Sequence, residues 1–140
     1  MYELIQAGDV SYYIQSPARI GIYLQNGRDV YLIDSGNDKD AGRKVRRLLE
    51  QNDWNLKAVL NTHSNADHIG GNHYLQQQYG CKIFANGVEA AFTNHPVLEP
   101  SFLYGGYPFK ELRHKFLMAA PSKAVDFSDE SFPQEIEVIL

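Results

Sequence analysis

The chain contains one cysteine, one tryptophan and two methionines, and no apolar run approaches the ~18 residues needed to span a bilayer. A lone cysteine, Cys81, excludes an internal disulfide framework and fits a reducing compartment. There is no excess of positive charge either. Thirteen Lys+Arg stand against 17 Asp+Glu, a net charge of −4, whereas a nucleic-acid groove leaves a basic footprint. The first ten residues carry neither a basic n-region nor an apolar h-region, so no signal peptide is expected. These absences set the expectation of a cytoplasmic protein with no membrane or nucleic-acid partner. What is present is ordinary: 140 residues, 44% hydrophobic and 12% aromatic, length enough for one domain with a real core.

The first third reads as strands. Tyr2–Gln6, Ser11–Gln15, Ile20–Gln25 and Val30–Ile33 are short runs of branched and aromatic residues between turn signals, and Asn26-Gly27 is a hairpin signal. From Asp38 to Gln51 the apolar residues Ala41, Val45, Leu48 and Leu49 recur at helical spacing, with Asn37 or Asp38 as N-cap. A strand at Leu56–Leu60 follows, then a helix from Gly70-Gly71 to Gln78 stopped by Gly80, a strand at Lys82–Ala85 and a short helix at Gly87–Thr93. Asn94–Pro108 reads as a long loop, Phe109–Met118 as a further helix and Ile136–Leu140 as a strand. Strands first and strand–helix–strand units afterwards predict an α/β fold.

The chemistry concentrates in Thr62-His63-Ser64-Asn65-Ala66-Asp67-His68-Ile69-Gly70-Gly71. This segment lies where a buried strand ends and a helix is about to begin, the edge at which α/β folds place their ligand sites. Two histidines and an aspartate within six residues offer the nitrogen and carboxylate ligands that zinc takes outside cysteine sites. Gly70 and Gly71 are expected to let the backbone turn tightly beneath them. On the residues alone, a polar loop whose His and Asp cap a helix remains an alternative.

The segment resembles the signature of the metallo-β-lactamase superfamily, Thr-His-x-His-x-Asp-His-x-Gly-Gly, departing from it at Asn65. Leu32-Ile33-Asp34-Ser35-Gly36 is similar to that family's upstream strand-end motif, and Cys81–Ala85 sits where the family places its next strand. The resemblance covers residues 1–95 well and thins out afterwards. It implies the first half of an αββα sandwich, a mixed β-sheet with helices on one face. It also implies that His63 is a ligand of one metal site, that Asp67 and His68 are ligands of a second, and that Asp34 is a buried acid supporting the loop from behind. The family chemistry is hydrolysis, with two zinc ions lowering the pKa of a shared water and polarising the bond under attack. Asp67 would also orient that water or take its proton.

Two departures qualify this. Asn65 stands where the signature has its second histidine, and an amide oxygen is a weaker ligand than imidazole. It is either a drifted residue in a degenerate site or the mark of a one-metal variant or of one adapted to a different metal. Family members also need a later Gly-His motif, a bridging aspartate and a final histidine. The chain is read as a single domain, 1–140, that stops before them, so His63, Asp67 and His68, with Asn65 as substitute, are the only ligands. His73, His95 and His114 match no motif, and the Arg43, Lys44, Arg46, Arg47 cluster is most simply a solvated helix face. Two functions follow as expectations. One is a metal-dependent hydrolase of esters or thioesters, little active as this chain alone, whose substrate is a small molecule. The other is a non-catalytic module that self-associates through the sheet face left bare by the missing half.

Overall fold

Alternating branched and polar residues make the first third of the chain a meander. In the computed structural model, which describes residues 1–139, it comprises β1 (Glu3–Gln6), β2 (Ser11–Gln15), β3 (Ile20–Gln25) and β4 (Asp29–Ile33), each antiparallel to the one before. The β3–β4 turn has Asn26 and Gly27 at φ 55° and 71°, the conformation that Asn-Gly favours.

Beyond β4 the chain changes to crossovers. Helix α1 (Lys39–Gln51) starts at Asp38, whose side chain accepts the Ala41 N–H at 2.9 Å. That backbone bond holds the Asp38 carboxyl below its ordinary value, aided by Lys115. Strand β5 (Asn55–Leu60) follows, then α2 (Ala66–Ile69) and α3 (Asn72–Tyr79), which ends at Gly80 in the left-handed region. Next come β6 (Lys82–Ala85), α4 (Gly87–Asn94), α5 (Leu98–Tyr104) and β7 (Ala124–Asp126). The seven strands form one sheet in the order β1-β2-β3-β4-β5-β6-β7, with β4 to β7 parallel.

Ile14, Ile20, Ile22, Val30, Leu32, Val59 and Ile83 point to one face of this sheet and meet Val45 and Leu49 of α1 and Leu75 of α3, all fully buried. Each such side chain contributes about 1.5–3 kcal/mol by leaving water. Contrary to expectation, the second face is not bare. Tyr31, Ala58 and Phe84 are buried there beneath Phe127, Phe132 and Ile136 of the chain's own C-terminal segment. Phe132 stands edge-on to Phe84 at 5.0 Å between ring centroids and to Phe127 at 5.5 Å. This cover lies over β4, β5 and β6; on β3, Tyr23 is 36% exposed.

Three further expectations are corrected. The stretch read as a loop contains α5, because Pro100 sits in its first turn, where a missing N–H costs no helical bond. Phe109–Met118 forms only a 3-10 turn at Lys110–Leu112; Phe109 and Phe116 remain exposed and give a helix no face to bury. Ile136–Ile139 is not a strand, since Ile136 packs on the second face instead of joining a sheet edge; Leu140 lies outside the described residues.

Candidate metal centre

The parallel strands β4 and β5 end side by side, so the residues just beyond them, Asp34 and Asn61–His63, converge. Asp34 is only 4% exposed and has φ 65°, a left-handed conformation that costs a non-glycine residue about 1–2 kcal/mol. Its carboxylate offsets that strain with four contacts. Oδ1 accepts the Thr62 N–H at 2.9 Å and the Asn61 amide at 3.4 Å; Oδ2 accepts the Thr62 hydroxyl at 2.6 Å and lies 2.9 Å from His68 Nδ1.

This arrangement assigns the protons on both histidines. A carboxylate only accepts, so His68 carries its proton on Nδ1 and leaves Nε2 free as a ligand. Thr62 has one hydroxyl proton and gives it to Asp34. Its oxygen, 2.8 Å from His63 Nδ1, must therefore accept from that ring, which leaves His63 Nε2 free as well. One buried acid thus orients both rings, whose centroids lie 4.0 Å apart.

The sequence-predicted donors are distributed as follows. Asp67 is solvent-facing, with its Oδ2 3.6 Å from His68 Nε2. Two ligands of one tetrahedral zinc, each bound at about 2.0–2.1 Å, stand about 3.4 Å apart, so this pair fits a shared metal. Asp34, His63 and His68 also bring one donor atom each within 4.8 Å of one another. Asp34 is nonetheless the brace, because its oxygens are already engaged by Asn61, Thr62 and His68. Asn65 initiates α2, and its backbone carbonyl accepts the His68 N–H at 2.8 Å. Its carboxamide makes no cap hydrogen bond and lies exposed beside Val88, Phe92, Phe102 and Leu103.

Gly70 and Gly71 serve differently from the expectation. Both have negative φ, −61° and −86°, so no special turn requires them. What requires them is contact: a Cβ on Gly70 would overlap the Asn37 backbone carbonyl, and one on Gly71 the Ser35 carbonyl oxygen. The close approach lets Ser35 N–H donate to His68 O and Gly70 N–H to Gly36 O, both at 2.8 Å, pinning the loop to the end of β4. Behind it runs a buried chain in which the Ser35 hydroxyl donates to Asn72 at 2.7 Å and the Asn72 amide donates to Asn61 at 2.8 Å.

Sequence reading missed Glu89 and Glu99, which accept the N–H groups of Ser64 and Ala66 at 2.7 and 3.0 Å. Glu99 is half-buried, and burial pushes its carboxyl up to about 6, with Asp67 and Glu89 adding repulsion against the lowering effect of the Ala66 bond. Asn86-x-x-Glu89 reads as a local capping signal, and Asn86 does accept the Glu89 N–H at 3.2 Å. Nothing local shows that the Glu89 side chain reaches across to Ser64. The remaining histidines join no ligand cluster among the described residues; His73 Nδ1 lies 2.8 Å from Pro121 O. In the basic cluster, Arg43 pairs with Asp40 and Arg46 with Glu50 on the exposed side of α1. No helix among the described residues is long and apolar enough to cross a membrane.

Comparison with known proteins bears on the family and the fold. The chain is 35% identical over 81 residues to the probable metallo-hydrolase YybB of Bacillus subtilis, covering 56% of this chain and 36% of that protein. It is 48% identical over 44 residues to a hydroxyacylglutathione hydrolase of Bradyrhizobium, covering 31% of this chain and 17% of that one. Its fold matches MEM-A1, a subclass B3 metallo-beta-lactamase from a soil metagenome library, with a TM-score of 0.66 at 20% identity, over 89% of this chain and 45% of the other. Each match takes in less than half of the relative's length. A family model described as the metallo-beta-lactamase superfamily matches residues 21–140, and with its seven-stranded mixed sheet and its histidine loop at the strand ends, the chain belongs to that superfamily.

Proposed function

We propose that the chain carries part of the metal centre of a hydrolase that cleaves esters or thioesters of small molecules, with zinc as the metal. The observation that carries this reading is His68: Asp34 holds its Nδ1 proton, and its free Nε2 stands 3.6 Å from the Asp67 carboxylate. A divalent ion bound there supplies Lewis-acid polarisation and a water of lowered pKa. The chain's own residues do the rest. His63 and His68 present Nε2, Thr62 and Asp34 fix their tautomers, and Asp67, open to solvent, holds the metal or takes the proton of the attacking water. Asn65 contributes at most a weak oxygen, so the chain alone binds zinc weakly and turns over little.

Zinc calorimetry on the chain and on Asn65→His tests this. An added imidazole is expected to tighten zinc about tenfold or more, equivalent to about 1.4 kcal/mol. Hydrolysis is read with p-nitrophenyl acetate and an acyl-glutathione thioester, the latter suggested by the hydroxyacylglutathione hydrolases among the relatives. No zinc bound by either protein would sink the reading. A second reading, a non-catalytic self-associating module, draws on the uncovered sheet face around Tyr23. It gains if the chain binds no metal and sediments as a dimer at micromolar concentration.

A further inference from the structure

Two side chains from outside the signature grip its loop. Glu89, the third residue of α4, and Glu99, the second of α5, each spend Oε2 on one loop amide, those of Ser64 and Ala66. The two amides bracket Asn65, the position at which the signature is broken. Ser64 and Ala66 are buried, so without these carboxylates their N–H groups would have neither water nor protein as partner. A charged acceptor also makes the stronger kind of hydrogen bond. Neither carboxylate takes part in an ion pair or any other side-chain hydrogen bond among the described residues.

Both grips come from anchored supports. Helix α4 is capped by Asn86 and tied to β7 by Asn94, whose side chain both donates to Ala124 O at 3.0 Å and accepts its N–H at 2.7 Å. Helix α5 carries the buried Pro100 one residue after Glu99. On the opposite side, Asp34 holds Thr62 and His68. The loop is therefore fixed at Thr62, Ser64, Ala66 and His68, every second residue from the first histidine's neighbour to the last histidine.

We infer that Glu89 and Glu99 are positioning residues for the metal loop: by holding Ser64 and Ala66 they set the backbone that presents His63, Asp67 and His68 before a metal arrives. This rests on the metal-dependent reading above. Ordering a loop in advance removes that cost from the binding step, so loss of the grip should appear as lost metal affinity.

The experiment separates reach from charge. Glu89→Gln and Glu99→Gln keep the length and an acceptor oxygen but lose the charge; Glu89→Asp and Glu99→Asp keep the charge but fall one methylene short. Two readouts on the full chain are used: amide hydrogen exchange at Ser64 and Ala66 without metal, with Val59 as core reference, and cobalt(II) affinity with its visible spectrum. The Asp variants are expected to exchange faster at the matching amide, with Val59 unchanged. They should also lose about 10–100-fold in cobalt affinity, the usual cost of removing a group that supports ligands, with an altered spectrum. The Gln variants should stay within a few-fold of the parent in both. Wild-type behaviour of the Asp variants, or a loss in Gln that matches or exceeds that in Asp, overturns positioning; the latter result would mean that charge alone acts. If the parent binds no cobalt, the hydrolase reading fails and exchange alone decides: unchanged protection at Ser64 and Ala66 in the Asp variants then overturns the grip.

Discussion

The stretches Asn61–Asn72 and Gly105–Met118 are both mostly irregular, yet they are held in opposite ways. The first is polar and largely buried, and Asp34 and Ser35, Glu89, and Glu99 reach into it from three other places in the chain. The second is aromatic and exposed: Tyr107, Phe109 and Phe116 are all at least 70% accessible. Its hydrogen bonds are local, such as Arg113 to the Tyr107 hydroxyl at 3.1 Å, with one long tie from Lys115 to Asp38 at 3.1 Å. The contrast shows that side-chain apolarity does not by itself order a segment. Buried donors and acceptors with named partners specify a backbone, because each unmet one costs about 1–3 kcal/mol.

The largest expected effect sharpens that contrast from the first region. Asp34→Ala leaves the Thr62 N–H, the Thr62 hydroxyl and the His68 Nδ1–H without their acceptor, and urea unfolding should show a loss of about 3–5 kcal/mol. Next come two glycines, one in each region. Gly70→Ala must push back the Asn37 backbone and should cost about 3 kcal/mol, whereas Gly105, at φ +76° with nothing near its missing Cβ, should cost about 1 kcal/mol. Equal losses at the two positions would break the comparison.

A smaller effect comes from Glu99. Its carboxyl is raised to about 6 in the folded chain, so its contribution to stability is present below the ordinary value near 4.5 and is lost as pH rises through about 6. Partial exposure keeps this modest. Glu99→Gln should flatten that part of the stability–pH curve measured by urea unfolding between pH 4 and 7; an unchanged slope would contradict it. The smallest effect belongs to the second region. Phe109→Ser should change unfolding free energy by no more than about 0.5 kcal/mol, as expected of a side chain that leaves little water on folding.

Local periodicity made six strands and three helices legible to within a residue or two, and Asn26-Gly27 and Gly80 marked their turns. The signature loop was readable because its donors are adjacent in sequence. Its supports were not: Glu89 and Glu99 lie 25 and 33 residues from the amides they hold, and no spacing rule predicts a reach across space. Strand β7, Ala124–Asp126, escaped notice because three residues carry no periodicity; β6 and the Asn94 side chain hold it in place. The cover on the sheet's second face was missed for a similar reason. Phe127, Phe132 and Ile136 have no common period, and only the folded chain lays them over Phe84.

The spatial order of the strands is also their order in the chain, β1 through β7. Each strand leaving the ribosome therefore finds its partner already made and adds to a single growing edge, with no need to insert between two earlier ones. Most ladder contacts close short or moderate loops, which favours rapid assembly. The same feature leaves a growing rim open as each strand is added, and among the described residues the two rims of the sheet are the four-residue β1 and the three-residue β7, both too short to template much pairing with another chain.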